Sequence, residues 1–113
     1  MRTGANGLYP RWLAQEPERN WDLFLSCYTP TPADPAAIAT ETGGYNKLEH
    51  FRDCVTSGRL DLSPYRQVLL ADDDLDLTVG SLSAFFAQAD RLGLTVSHPA
   101  QDWSGYWSLR IML

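Results

Sequence analysis

The chain reads YRQVLLADDDLDLT from residue 65 to residue 78, an apolar run that ends in three consecutive aspartates. The run 65–71 is short and rich in branched apolar residues, which is typical of a buried strand. Two carboxylates about 4 Å apart repel each other by roughly 4 kcal/mol at an effective dielectric of about 20. Asp72, Asp73 and Asp74 therefore require either water or a cation. Because open α/β sheets bind ligands at the carboxyl ends of strands, we expect the chemistry of this chain here.

The composition indicates one small domain with a modest core, since 44% of the 113 residues are hydrophobic. The net charge is -5 and the isoelectric point is about 4.7. The nine Lys and Arg residues are scattered and form no basic stripe, so duplex nucleic acid is not an expected partner. A nucleotide or phosphate ligand would need a metal ion to offset the acids.

The two cysteines, Cys27 and Cys54, lack the spacing of metal ligands, and we interpret both as reduced core residues. Residues 1–7 contain no apolar signal region, and no run approaches the roughly 18 apolar residues of a membrane span. These features predict a cytoplasmic protein that does not cross a membrane.

Strands and helices alternate in the predicted order of elements, which implies an α/β fold with a mostly parallel sheet and flanking helices. Prolines restrict their own backbone and that of the preceding residue, so the proline cluster after the first strand indicates an extended loop. Apolar residues at helical spacing mark the two helices. The predicted elements are a strand at 21–28, a loop at 29–35, a helix opened by Gly43 and Gly44 and closed by Gly58, the strand 65–71, a helix from its N-cap Thr78 to Gly93, and strands at 94–97 and 103–113.

The two ends of the sequence suggest a partial domain. Residues 111–113 are apolar and lack a polar cap or turn, and no full strand precedes Trp12. A sheet cut at both ends would expose edges that proteins normally protect. We therefore expect residues 1–113 to form a single partial domain that belongs to a larger one.

The acid cluster also has other interpretations. The sequence leaves a solvated loop open and excludes two further kinds of site. A solvated loop that places acids near the N-terminus of the second helix explains Asp76 well. An EF-hand loop is excluded, because its sixth position is Leu77 instead of glycine and its twelfth is Ser83 instead of glutamate. A glycine-rich phosphate loop is absent from the sequence.

A phosphatase of the haloacid-dehalogenase type is a third alternative. Asp74, Asp76 and Thr78 have the Asp-x-Asp-x-Thr spacing of a nucleophile followed by an acid/base. That chemistry also needs a downstream lysine, whereas the single lysine, Lys47, lies upstream. A phosphate-receiver domain fails for the same reason.

A metal–nucleotide site is the remaining interpretation. Asp72 and Asp74 have the Asp-x-Asp spacing that can hold Mg²⁺ or Mn²⁺ while diphosphate oxygens take the other metal positions. The metal would then stabilise the diphosphate that leaves as a sugar is transferred. His50 and His98 are interpreted as surface or capping residues, and His98 is the better functional candidate because it follows a predicted strand end.

A wider set of motifs supports this interpretation. The motifs are residues 4–6 through 11–13, residues 19–23, the run Gly44-Tyr45-Asn46-Lys47-Leu48, residues 65–75, and His98-Pro99-Ala100 before residues 103–108. Together they resemble the seven-oh-seven domain-of-unknown-function family, whose members resemble glycosyltransferases of the GT-A type, and the similarity covers nearly the whole chain. The aspartate triplet after an apolar strand is the most specific element of the resemblance.

The resemblance implies a partial GT-A-like fold that binds a nucleotide-sugar donor in a metal-dependent glycosyltransferase. Asp72 and Asp74 would contact Mn²⁺ or Mg²⁺, while Asp73, Lys47 and His98 would bind the nucleotide-sugar. The acceptor and the catalytic base are not specified, and the family's second half, which supplies acceptor contacts, is not matched. The alternative is a non-catalytic remnant or interaction module with a solvated acidic loop.

Overall fold

The computed structural model of the chain describes residues 2–3, 7–77 and 80–99. Two predictions lie outside these residues, the N-cap at Thr78 and the strand at 103–113. The described part contains three strands and three helices. They are, in chain order, β1 Arg2–Thr3, α1 Tyr9–Gln15, β2 Phe24–Cys27, β3 Ala39–Thr42, α2 Lys47–Thr56 and α3 Leu82–Arg91.

The strands form one parallel sheet in the order β1-β2-β3, which confirms the predicted α/β class with a parallel sheet. The central strand β2 lies in the core, with Leu25 and Cys27 almost fully enclosed. Its register pairs Phe24 with Ala39 and Cys27 with Thr42. Because the strands are parallel, their carboxyl ends lie at one edge of the sheet, where Gly43 continues the chain towards α2.

Several predicted strands are wrong in the described part of the chain. Residues 65–71 and 94–97 are not strands, and the strand predicted at 21–28 is limited to β2. Residues 94–97 lie on the surface, with Val96 90% exposed, so no apolar face is buried there. Strand β3 was not predicted, because its Ala-Thr-Glu-Thr sequence has no apolar run.

Helix α2 begins after Asn46, whose side-chain oxygen accepts a hydrogen bond from the Glu49 N–H at 3.0 Å. Gly43 and Gly44 therefore precede the helix and do not open it, which corrects the predicted boundary. The helix buries His50 and Cys54, whereas Leu48 remains exposed. The prediction that His50 lies on a polar surface face is wrong.

Helix α3 begins later than predicted, because Ser81 is its N-cap and accepts a hydrogen bond from the Ala84 N–H at 3.1 Å. Its predicted end at Gly93 is confirmed. Gly93 adopts a left-handed backbone, with φ +64°, and its N–H donates to the Asp90 carbonyl, while the Leu94 N–H donates to the Ala89 carbonyl. This pair of hydrogen bonds is a Schellman motif.

Trp12 of the short helix α1 joins α3 to the segment that precedes the acids. Its side chain forms a buried cluster with Ala71 and Leu82. Its indole N–H also donates to the Leu75 carbonyl at 3.1 Å. Burying an indole contributes a large apolar contact, and the hydrogen bond satisfies its polar edge. Among the described helices, the longest apolar stretch is too short to traverse a bilayer.

Candidate functional site

The backbone of the acid triplet is held beside the start of α1. The Leu8 N–H donates to the Asp73 carbonyl at 2.8 Å, and Asp72 forms an isolated β-bridge. The hydrogen bond from Trp12 to the Leu75 carbonyl fixes the next turn of chain. Neighbouring anchors therefore hold the main chain of 72–75 in place, although no strand leads into it.

Lys47 and Asp72 form an ion pair, although 25 residues separate them in the sequence. The Lys47 Nζ lies 2.7 Å from Asp72 Oδ2, and the two side chains are 32% and 56% exposed. At that exposure, solvent screens the charges and the pair contributes about 0–1 kcal/mol. The ion pair matters mainly because it brings together two of the residues that the sequence predicts for the site.

The other two acids of the triplet differ in exposure. Asp73 is half-buried and Asp74 is exposed. Among the described residues, no three His, Cys, Asp or Glu side chains converge as a metal-binding group. Two carboxylates nevertheless fit Mg²⁺, which usually keeps water and binds one or two carboxylates together with substrate phosphates. Asp72 and Asp74 would be the protein ligands, and their metal role stays a prediction.

His98 lies on the surface, and its Nδ1 is 2.8 Å from the carbonyl oxygen of Pro99. This nitrogen is therefore engaged by the neighbouring backbone. The described hydrogen bonds do not link His98 to Lys47, Asp72 or Asp74. The structure thus brings Lys47 to the acids and leaves the predicted ligand role of His98 untested.

A buried polar pair lies beneath the loop between β3 and α2. Ser26 Oγ lies 2.6 Å from His50 Nδ1, and the two residues are 5% and 2% exposed. Gly44 packs directly on the histidine, since an added Cβ would lie 2.4 Å from His50 Cβ. A serine–histidine contact can activate a nucleophile, but this one is closed to substrate. The contact joins α2 to the central strand β2.

This pair was not predicted, because His50 was expected on the polar face of α2. The missed signal is its spacing from Cys54. Residues four positions apart share one face of a helix, and Cys54 was correctly expected in the core. That relation alone would have placed His50 on the buried face.

A groove of about 490 Å³ lies elsewhere on the molecule, and the acid triplet is not part of its lining. Its walls are mainly apolar and include Trp21, Phe24 and Phe86. Tyr65, also in the lining, donates a hydrogen bond to Asp22 Oδ2 at 2.8 Å. That hydrogen bond, followed by burial and by the charge of Asp22, raises the pKa of Tyr65. Nothing in the sequence pattern predicted this groove.

Comparison with known proteins yields no relative: the sequence matches no family model, no curated protein and no solved structure. The resemblance to the seven-oh-seven domain-of-unknown-function family therefore remains a prediction based on the sequence motifs themselves.

Proposed function

We propose that this chain is the nucleotide-sugar-binding part of a GT-A-like, metal-dependent glycosyltransferase. The observation that carries the proposal is the 2.7 Å ion pair between Lys47 and Asp72. It places a cationic side chain at the acid triplet, so groups of both charges are available to a ligand that combines a diphosphate with a divalent ion.

Charge balance explains why the site needs positive groups beside its carboxylates. The carboxylates of Asp72, Asp73 and Asp74 would repel a diphosphate if they were not neutralised. A bound Mn²⁺ or Mg²⁺ would neutralise the charge on the departing diphosphate. Asp72 and Asp74 would hold the ion, and Lys47, released from Asp72, would contact the diphosphate oxygens.

The remaining predicted residues complete the donor site. Asp73 would accept hydrogen bonds from ribose or sugar hydroxyls, and His98 would contact the nucleotide-sugar from the surface. No base and no acceptor site are assigned. The proposed function is therefore donor binding, and transfer would also require a base and an acceptor site.

Titration calorimetry with UDP-glucose and GDP-mannose, each with and without Mn²⁺, tests the proposal. We expect binding heat at millimolar nucleotide-sugar that needs Mn²⁺ and disappears in chelator and in Asp74→Asn. Glu18→Gln is the matched control, because it removes one exposed acid elsewhere on the surface. The absence of metal-dependent heat with both donors, or an equal loss in both variants, would contradict the proposal.

The exposure of Asp72 and Asp74 favours a second candidate, a non-catalytic interaction module whose acids are solvated. This candidate predicts that Asp74→Asn changes no metal-dependent heat. A phosphatase of the haloacid-dehalogenase type predicts instead that the chain hydrolyses p-nitrophenyl phosphate with Mg²⁺. Inertness towards that ester would exclude it.

A further inference from the structure

Lys47 reaches across the fold to the acid triplet instead of pairing within its own helix. It is the first residue of α2, and Glu49 is the acidic residue in the first turn of that helix. Residues two apart on a helix do not face each other, so Glu49 is poorly placed to neutralise the ammonium. The ion pair joins Lys47 to Asp72 instead, with Nζ 2.7 Å from Oδ2. The position of α2 against the acidic segment therefore supplies the partner of this lysine.

Hydrogen bonds anchor both of the backbones that carry the ion pair. Asn46 caps α2 by accepting the Glu49 N–H at 3.0 Å. On the other side, the Asp73 carbonyl accepts the Leu8 N–H at 2.8 Å. A ligand that separates the pair therefore needs to move only side chains. The flexible four-carbon stem of lysine allows this movement while the helix stays in place.

The ion pair is also weak and open to solvent. The side chains of Lys47 and Asp72 are 32% and 56% exposed, so a hydrated ion can reach the carboxylate. Because solvent screens such a pair, its two partners separate easily. A lysine ammonium is a compact point charge, whereas an arginine guanidinium would hold a carboxylate through two parallel hydrogen bonds. Lysine is therefore the basic side chain that a divalent ion displaces more readily from Asp72.

We propose that Lys47 occupies the place of the divalent ion on Asp72 in the ligand-free chain and leaves this carboxylate when the ion binds. The inference rests on the donor-binding function proposed above and adds an order of binding to it. Before the ion binds, the ammonium is held at Asp72 and is less available to a diphosphate. Once released, Lys47 lies beside the site with a free positive charge, which a donor diphosphate neutralises.

The released lysine couples the binding of the ion to that of the donor. When the ion binds alone, the freed ammonium of Lys47 lies near another cation, and like charges repel. A donor diphosphate relieves this repulsion because its oxygens attract both positive groups. Each ligand should thus bind more tightly in the presence of the other, and by linkage the two enhancements are equal.

Acylation of the lysine amine tests the release, because Lys47 is the only lysine in the chain. The full chain is treated with the N-hydroxysuccinimide ester of acetic acid, and the rate of modification of Lys47 is followed by peptide mass spectrometry. We expect Mn²⁺ to increase this rate about two- to fivefold relative to NaCl of the same ionic strength. UDP-glucose or GDP-mannose added with Mn²⁺ should lower it again.

Two variants control the acylation experiment. In Asp72→Asn the rate should be high without Mn²⁺ and insensitive to the ion, because the carboxylate that holds the ammonium is gone. Glu18→Gln removes an exposed acid elsewhere on the surface and should behave as wild type.

Electron paramagnetic resonance of free Mn²⁺ measures the affinity for the metal directly. Lys47→Gln should bind Mn²⁺ about two- to fivefold more tightly than wild type and should lose the enhancement by the donor. Arg52→Gln removes a cation from the exposed surface of the same helix, and Lys47→Arg keeps the charge beside Asp72. Neither of these two controls should raise the affinity for Mn²⁺ as Lys47→Gln does.

The results distinguish a failure of this role of Lys47 from a failure of donor binding. Mn²⁺-dependent donor binding with an acylation rate that Mn²⁺ leaves unchanged, or with equal Mn²⁺ affinity in wild type and Lys47→Gln, would overturn the role of Lys47 alone. Equal acylation of wild type and Asp72→Asn without Mn²⁺ would overturn it as well, because the ion pair would not hold the amine in solution. The absence of any Mn²⁺ binding would overturn both the role of Lys47 and the proposed function.

Discussion

The carboxylate of Glu16 caps a helix that begins 66 residues later, and its replacement tests how α3 is held. Glu16 Oε1 accepts the Leu82 N–H at 2.6 Å, and Oε2 accepts the Ser83 N–H at 3.0 Å. These are two of the N–H groups at a helix start that have no partner within the helix. Glu16→Gln keeps the size of the side chain, but its amide nitrogen would face one of these donors.

The expected cost follows from these contacts. Hydrogen bonds to a charged group contribute about 1.5–3 kcal/mol, compared with about 1 kcal/mol for neutral ones. An acid near a helix N-terminus adds about 0.3–1 kcal/mol through the helix dipole. We expect Glu16→Gln to lower the free energy of unfolding at pH 7 by about 2–3 kcal/mol. Urea denaturation followed by tryptophan fluorescence and circular dichroism measures it.

The pH dependence gives a second signature. Burial would raise the pKa of Glu16, but hydrogen bonds from Ser83, Leu82 and Ser81 outweigh it and hold the pKa below its ordinary value of 4.5. The stabilisation is therefore complete above that value and is lost as pH falls through the lower pKa of the folded state. The difference between wild type and variant should shrink correspondingly in acid.

The exposed Glu18→Gln serves as the control for Glu16→Gln and should change stability by less than about 0.5 kcal/mol. Equal stability of wild type and Glu16→Gln at pH 7 would refute the capping argument. A difference that persists undiminished when the carboxylate is protonated would show that the loss comes from altered packing instead of charge.

Two further predictions concern a glycine and a tyrosine. Gly44→Ala should lower the free energy of unfolding by more than about 2 kcal/mol, because φ is +74° and the new Cβ would clash with His50. Gly58→Ala is the control: its φ of +75° is similar but the space around it is open, so the loss should be about 1 kcal/mol. Equal losses for the two variants in urea denaturation would contradict the steric argument. The hydrogen bond to Asp34 at 2.7 Å, with burial, raises the pKa of Tyr9 to about 12. An ultraviolet titration should therefore show a tyrosine that ionises near pH 12 and whose pKa returns towards 10.0 in Asp34→Asn, while the raised pKa of Tyr65 is unaffected; an unchanged titration would reject this assignment.

Local sequence signals predicted the features that depend on local chemistry. Gly93 ends α3 because a left-handed residue without Cβ satisfies the last carbonyls, and this follows from glycine itself. The start of the same helix was placed wrongly. Its cap comes partly from Glu16, a distant residue whose contribution no local pattern reveals.

The candidate site likewise combines features that local sequence predicts with contacts that depend on the fold. The aspartate triplet and Lys47 were identified from the sequence, but their 2.7 Å contact depends on how α2 lies relative to 72–75. The strand predicted at 65–71 rested on its apolar run; in the structure the segment alternates in burial but lacks a paired neighbour in the described part of the chain. Periodicity reports which side chains face inward, whereas strand assignment requires a partner backbone.

Trp12 makes α1 and the acidic segment one cooperative unit. The same indole packs on Ala71 and Leu82 and donates to the Leu75 carbonyl. If the Trp12 side chain left this position, the start of α3 and the main chain after the acids would both lose a contact. Local opening of the first helix would then erase the geometry of the proposed donor site before the central strand unfolds. Mutations or fusions near the N-terminus could in this way abolish ligand binding although all the aspartates are retained.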